Sequence, residues 1–169
     1  MGSEWWAHVL TWGSAAVLLS GATLVTVMFI APYAFLKDYP GDIRERAPKP
    51  SRAQQRAGRW GSAGFLLVLI GTIGGTVYGW GAVRPGVGYP ELALMALALN
   101  VMFALLDVIV VDWLIICTVR PGRLIYPGTE DCTGWSDYRF HLAEQLRPVG
   151  VGVLIAGSAG IGLVAWWLS

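Results

Sequence analysis

The sequence predicts an all-α integral membrane protein: a four-transmembrane-helix bundle with two cytoplasmic loops, the second carrying a short amphipathic interfacial helix. Composition is the first reason. Hydrophobic residues make up 55% of the 169-residue chain and charged residues 14%, where a soluble domain carries about a quarter charged, and the mean hydropathy is +0.56. The second is distribution, because the apolar residues collect in four runs, about 9–36, 60–83, 92–119 and 148–168. Each exceeds the roughly 20 residues that cross a hydrocarbon core of about 30 Å. The third is charge placement: eleven of the twelve basic residues fall between runs one and two or between runs three and four, leaving only Arg84 elsewhere. One domain, residues 1–169, is expected from that length.

The first run carries no charge. It is expected to be a span and not a cleaved leader, since "MGSEWW" has no basic residue and the run is too long for a signal core. Trp6 stands where a myristoylation motif needs Ser or Thr. Ahead of the second run, "PKPSRAQQRAGRW" places Gln54 three residues after Ser51, the spacing of a capping box. That helix is therefore expected to start before the membrane, with Arg52, Arg56 and Arg59 on one face as a collar for anionic lipid headgroups. Between the third and fourth runs, Trp135, Tyr138, Leu142 and Leu146 form one helical stripe, which suggests a short helix on the inner leaflet before Pro148 opens the last span.

Orientation follows from the basic residues, which favour the cytoplasmic side. Both long loops are expected inside and both termini outside, in a bacterial inner membrane. Trp60 and Trp80 are 20 residues apart, about 30 Å along a helix, and so suit opposite interfaces, with Trp5, Trp6, Trp166 and Trp167 in the outer belt. The net charge of +1 argues against a nucleic-acid partner.

Small residues predict where helices meet. Gly71, Gly75 and Gly79 recur at i+4 in the second run, and Gly152, Ala156 and Gly160 in the fourth. Such ridges let backbones approach closely where lipid provides little hydrophobic drive, either within the bundle or against a membrane-protein partner or second copy. A weaker version lies at Gly13, Val17 and Gly21.

The third run poses the chemical question, because "NVMFALLDVIVVDWLIICTVRP" holds Asp107 and Asp112. A charged Asp near a span's centre costs about 2.5–3.5 kcal/mol on insertion scales, so it is protonated, paired or beside water. No Lys or Arg lies in the middle of a run, so Asn100, seven residues earlier, and hydroxyls such as Ser20, Thr23, Thr72 or Ser158 are the expected partners of Asp107. Asp112 is expected to meet Arg120. On a regular α-helix the two acids point about 140° apart, which argues against a close acidic dyad.

The other chemistry-bearing residues point away from catalysis. His8 and His141 fall on opposite sides of the expected membrane and cannot share a haem or metal in one chain; each has an acid four residues before it, Glu4 and Asp137, suited to a solvated helical pair. Cys117 and Cys132 form no CxxC motif and are expected free. The "TEDC" cluster at 129–132 lacks metal-ligand spacing, and "AGSAGIG" follows no strand, as a phosphate loop must. No cofactor or metal is expected. "YPG" at 39–41 and 126–128 is a weak internal echo of the kind duplication leaves. Three functions remain, in this order: a non-catalytic subunit or assembly partner of a larger membrane complex; a proton- or cation-linked transporter or channel with its site at Asp107 and Asn100; and an inner-leaflet lipid-acting enzyme using Asp112, Asp131, Asp137 or His141.

Overall fold

The computed structural model describes residues 2–169, and every regular element in it is helical. Four helices are long and apolar enough to cross a membrane: α1 (Ser3–Ile30), α3 (Arg52–Ala82), α4 (Tyr89–Val119) and α6 (Pro148–Leu168). Two short helices lie in the long connections, α2 (Gly41–Arg46) and α5 (Tyr138–Gln145). The first helix stops six residues short of its expected end, because Ala31 leaves helical geometry ahead of Pro32 and the chain tightens into a 3₁₀ segment, Pro32–Asp38. Pro32 has no N–H to continue the α-helical ladder.

Local chemistry starts the other helices where the sequence implies. The Ser51 hydroxyl accepts from the Gln54 amide at 3.3 Å while the Ser51 amide donates to Gln54 Oε1 at 2.8 Å, so two amides at the start of α3 are satisfied. Pro148 opens α6, at a position whose N–H would have no partner anyway. At the far end of α4, Arg120 turns the chain with φ 45°, a conformation uncommon for a non-glycine residue. Its own side chain holds it there: Nε donates to the Cys117 carbonyl at 2.9 Å and the guanidinium also reaches Ser136.

Most of α4 beyond Leu106 departs from regular α geometry. From Asp107 to Val119 its ladder runs i→i+5, and the Arg120 amide follows suit by donating to the Ile115 carbonyl at 2.9 Å. Such widening is rare, mostly confined to single turns and frequent at functional sites.

Two apolar cores flank the waist of the bundle. At the end holding both termini, Trp5, Val9, Ile73, Val77, Trp80, Leu92, Met95 and Leu99 pack together. At the end holding both long loops, Leu24, Met28, Phe65, Val111 and Ile116 join Tyr39, Ile43, Tyr126 and Trp135. Between them, the Ser20 and Thr72 hydroxyls lie 3.0 Å apart and the Asn100 amide donates to Ser158 at 2.9 Å. The two "YPG" turns meet in the loop-end core, where the Tyr39 and Tyr126 rings stand edge to face at 5.7 Å and both touch Trp135.

Several packing expectations are corrected. Gly71, Gly75, Gly79, Gly152 and Gly160 have nothing within 4 Å of where a Cβ would stand, and Ala156 is exposed; these ridges face outward. Close approach falls on the weaker ridge of the first run, at Gly13 against Leu99 and Gly21 against Leu106, and also at Gly61 against Val27 and Gly162 against the backbone of Ala93. Trp80 is 4% exposed, its indole donating to Glu91 at 2.9 Å and its ring covered by Arg84. Trp5 is equally buried, whereas Trp6, Trp60, Trp166 and Trp167 are exposed. Core packing claims the first pair because their rings face neighbouring helices.

Candidate functional site

A cavity of about 520 Å³ opens at the loop end of the bundle, lined by α1, the 3₁₀ segment, α2, α3, α4 and α5. Its walls are apolar, from Leu24, Met28, Phe65, Phe103, Val111 and Ile116. Its polar lining comes from Lys37, Asp38, Tyr39 and Arg44 of the first connection, Asp107 and Asp112 of α4, and His141, Glu144, Gln145 and Arg147 of the second.

Both acids of α4 face this space, correcting the expected 140° divergence. In an i→i+5 ladder the residue five positions on lies one turn further along the same face, so widening α4 brings Asp112 into line with Asp107. Helix α5 meets both of them. The Gln145 amide donates to Asp107 Oδ2 at 2.8 Å, and His141 Nδ1 lies 3.2 Å from Asp112 Oδ1. His141 is 5% exposed and the Asp112 side chain 15%. His141 Nε2 is buried and has no hydrogen-bond partner among the described residues.

The expected partners are thereby replaced. Asn100 binds Ser158 and not Asp107. Arg120 closes the end of α4 and does not reach Asp112. His141 is buried in the bundle and not paired with Asp137, whose carboxylate instead caps α5 at the Phe140 amide, 2.9 Å away. His8 lies 3.0 Å from the Thr76 carbonyl, and Glu4 pairs with Arg84 at 3.1 Å. Trp135 leaves the expected stripe for the loop-end core, while Tyr138 and Leu142 on α5 and Leu146 just beyond it remain exposed. That helix turns His141 and Gln145, four residues apart, toward α4.

The loops that frame the cavity are cross-braced. The Asp42 carboxylate accepts from the Gly134 amide at 2.9 Å, and Arg46 meets Asp131 at 2.8 Å. Tyr126 donates its hydroxyl to the Pro32 carbonyl at 2.6 Å. Burial pushes the Tyr126 and Tyr39 phenols well above their ordinary range, so both stay protonated. Within "TEDC", Thr129 is buried under the Trp135 indole and Asp131 is spent on Arg46. Cys117 and Cys132 are buried free thiols. Arg52, Arg56 and Arg59 are all exposed.

Asp38 at the rim titrates above its ordinary value: burial is the main cause, reinforced by Glu144 and Asp112 and opposed by Lys37 and Arg44. Its proton is thus held more tightly in the folded state, so this group stabilises the fold at acid pH and the contribution is lost as pH rises through its folded value. Asp38→Asn is expected to flatten that part of the stability curve, as measured by thermal unfolding in detergent across pH 4–7.

Sequence reasoning named Asp107, Asp112 and His141 but missed the rim residues Lys37, Asp38 and Arg44, and also Glu144 and Gln145. The i,i+4 spacing of His141 and Gln145 was the available signal. Compared with protein-family models, curated proteins and solved structures, the chain matches none.

Proposed function

We propose that this chain is a small integral membrane protein that binds a proton or small cation from its cytoplasmic side, as a proton- or cation-linked transporter, with Asp107 and Asp112 as the shared acidic site. One observation carries the reading: two carboxylates line one cavity, where the Gln145 amide donates to Asp107 and the His141 imidazole lies against Asp112, with no Lys or Arg within salt-bridge reach among the described residues. Two acids sharing a poorly solvated site do not both stay ionised without compensation. A proton or a bound cation supplies it. Asn100, spent on Ser158, has no part in this site.

Asp107→Asn and Asp112→Asn are each expected to fold and to abolish pH- or cation-dependent flux in proteoliposomes, because an amide neither exchanges a proton nor neutralises a cation. Wild-type vesicles with no flux above protein-free controls, across a broad panel of ions, would remove the transport reading. The orientation has its own test. On intact cells a cysteine at Gly86 should react with a membrane-impermeant reagent and one at Lys49 should not; the reverse pattern would turn the molecule over. Native background should be low, since Cys117 and Cys132 are buried.

Membership of a larger membrane complex is the second reading, favoured by the outward ridge of Gly71, Gly75 and Gly79 beside an open groove that His8, Trp12 and Leu19 complete. Purification from mild detergent in fixed stoichiometry with another chain would support it. A lipid-acting enzyme fits less well, since Asp131 and Asp137 are engaged away from the cavity.

A further inference from the structure

The cavity is charged in layers. Its inner layer is short of donors: Asp107 accepts from Gln145 at Oδ2 and Asp112 lies against His141 at Oδ1, leaving the second oxygen of each without a hydrogen bond among the described residues, where His141 Nε2 is unpartnered as well. Its rim is short of acceptors: Lys37 and Arg44 are exposed, and neither lies within salt-bridge distance of a carboxylate among the described residues. Arg147, by contrast, is already joined to Glu144 at 2.9 Å.

We infer that the ligand is a zwitterion carrying a protonated primary amine at one end and a phosphate group at the other, of the phosphoethanolamine kind, with the amine on Asp107 and Asp112 and the phosphate on Lys37 and Arg44. This rests on the cation-linked reading of the acidic pair and names its ligand class. An ammonium brings three N–H donors to a layer in which each carboxylate keeps an open oxygen. With Glu144 paired to Arg147, Lys37 and Arg44 together outweigh the remaining rim acid, Asp38, and a guanidinium matches phosphate geometry. The volume of about 520 Å³ is that of a small-molecule site, more than a bare cation fills. The apolar walls at Met28, Phe65 and Phe103 suit the carbon linker between the two charges. Such a group exists both as a soluble metabolite and as a lipid headgroup.

The full chain in maltoside micelles, titrated calorimetrically, separates the possibilities. O-phosphoethanolamine should bind about tenfold or more tightly than either ethanolamine or inorganic phosphate. Asp107→Asn should reduce it to the level of phosphate. The exposed pair Lys37→Gln and Arg44→Gln, which no core packing depends on, should reduce it to the level of ethanolamine. Repeating the titration in nanodiscs assigns the source: phosphatidylethanolamine that competes with the soluble probe, where phosphatidylglycerol does not, identifies the lipid headgroup, and absence of competition identifies the free compound. Phosphate binding as tightly as O-phosphoethanolamine, or an unchanged affinity in folded Asp107→Asn, overturns the inference. Ethanolamine binding as tightly as O-phosphoethanolamine also overturns it but leaves the cation-linked site standing. No binding with flux intact removes only the zwitterion, whereas no binding and no flux removes both.

Discussion

Gly162→Val is expected to destabilise the bundle by about 3 kcal/mol or more, the upper part of the range for overpacking a tight core. A Cβ at Gly162 would stand 2.5 Å from Ala93 Cα and 2.6 Å from its nitrogen. Those are backbone atoms inside α4, so no side-chain rotation relieves the clash and α4 must separate from α6. The control is Gly160→Val, two residues away, where nothing lies within 4 Å and no loss is expected, since Val is a somewhat better helix former than Gly. Thermal unfolding in detergent reads both. Equal melting temperatures for the two variants would show that the α4–α6 contact is not packed this way.

His141→Leu is expected to cost about 3 kcal/mol, the lower end for breaking a buried pair, since the Asp112 side chain keeps 15% of its exposure. The penalty comes from stranding a carboxylate among apolar walls. It should therefore shrink in the double variant with Asp112→Asn, which removes the charge. A double variant as unstable as the sum of the two single ones would mean that Asp112 and His141 do not interact. Loss of His141 should also free α5, so amides of Tyr138–Gln145 should exchange faster with solvent while those in the middle of α6 remain protected.

The acids of α4 show how far the sequence could be read. Asp107 and Asp112 were recognisable as residues needing partners, because an acid in an apolar run is costly whatever its surroundings. Their partners were not recognisable. The 140° separation assumed regular α geometry, and that assumption failed when the ladder widened at Asp107. Nothing in "LDVIVVD" marks such a change, which depends on how α4 seats against its neighbours. The same holds for His141, which an i,i+4 rule paired with Asp137 until α5 folded onto the bundle and offered Asp112 instead. The glycine ridges of α3 and α6 failed for a related reason, while that of α1 at Gly13 and Gly21 does pack closely: spacing shows which residues share a face but not which way that face turns.

Four long apolar helices, the start of α3 at Ser51 and the start of α6 at Pro148 were determined by sequence alone, because each rests on interactions among residues close in the chain: a run long enough for a bilayer, a hydroxyl three residues from the amide it caps, a proline that needs no donor. Tertiary structure alone decided that α5 packs inward, that Tyr39 and Tyr126 meet over Trp135, and that Lys37, Arg44, Asp107 and Asp112 line one cavity. Those groups are separated by up to 75 positions (112 − 37), and their meeting depends on which helix faces bury each other, a collective outcome of packing that no local spacing encodes.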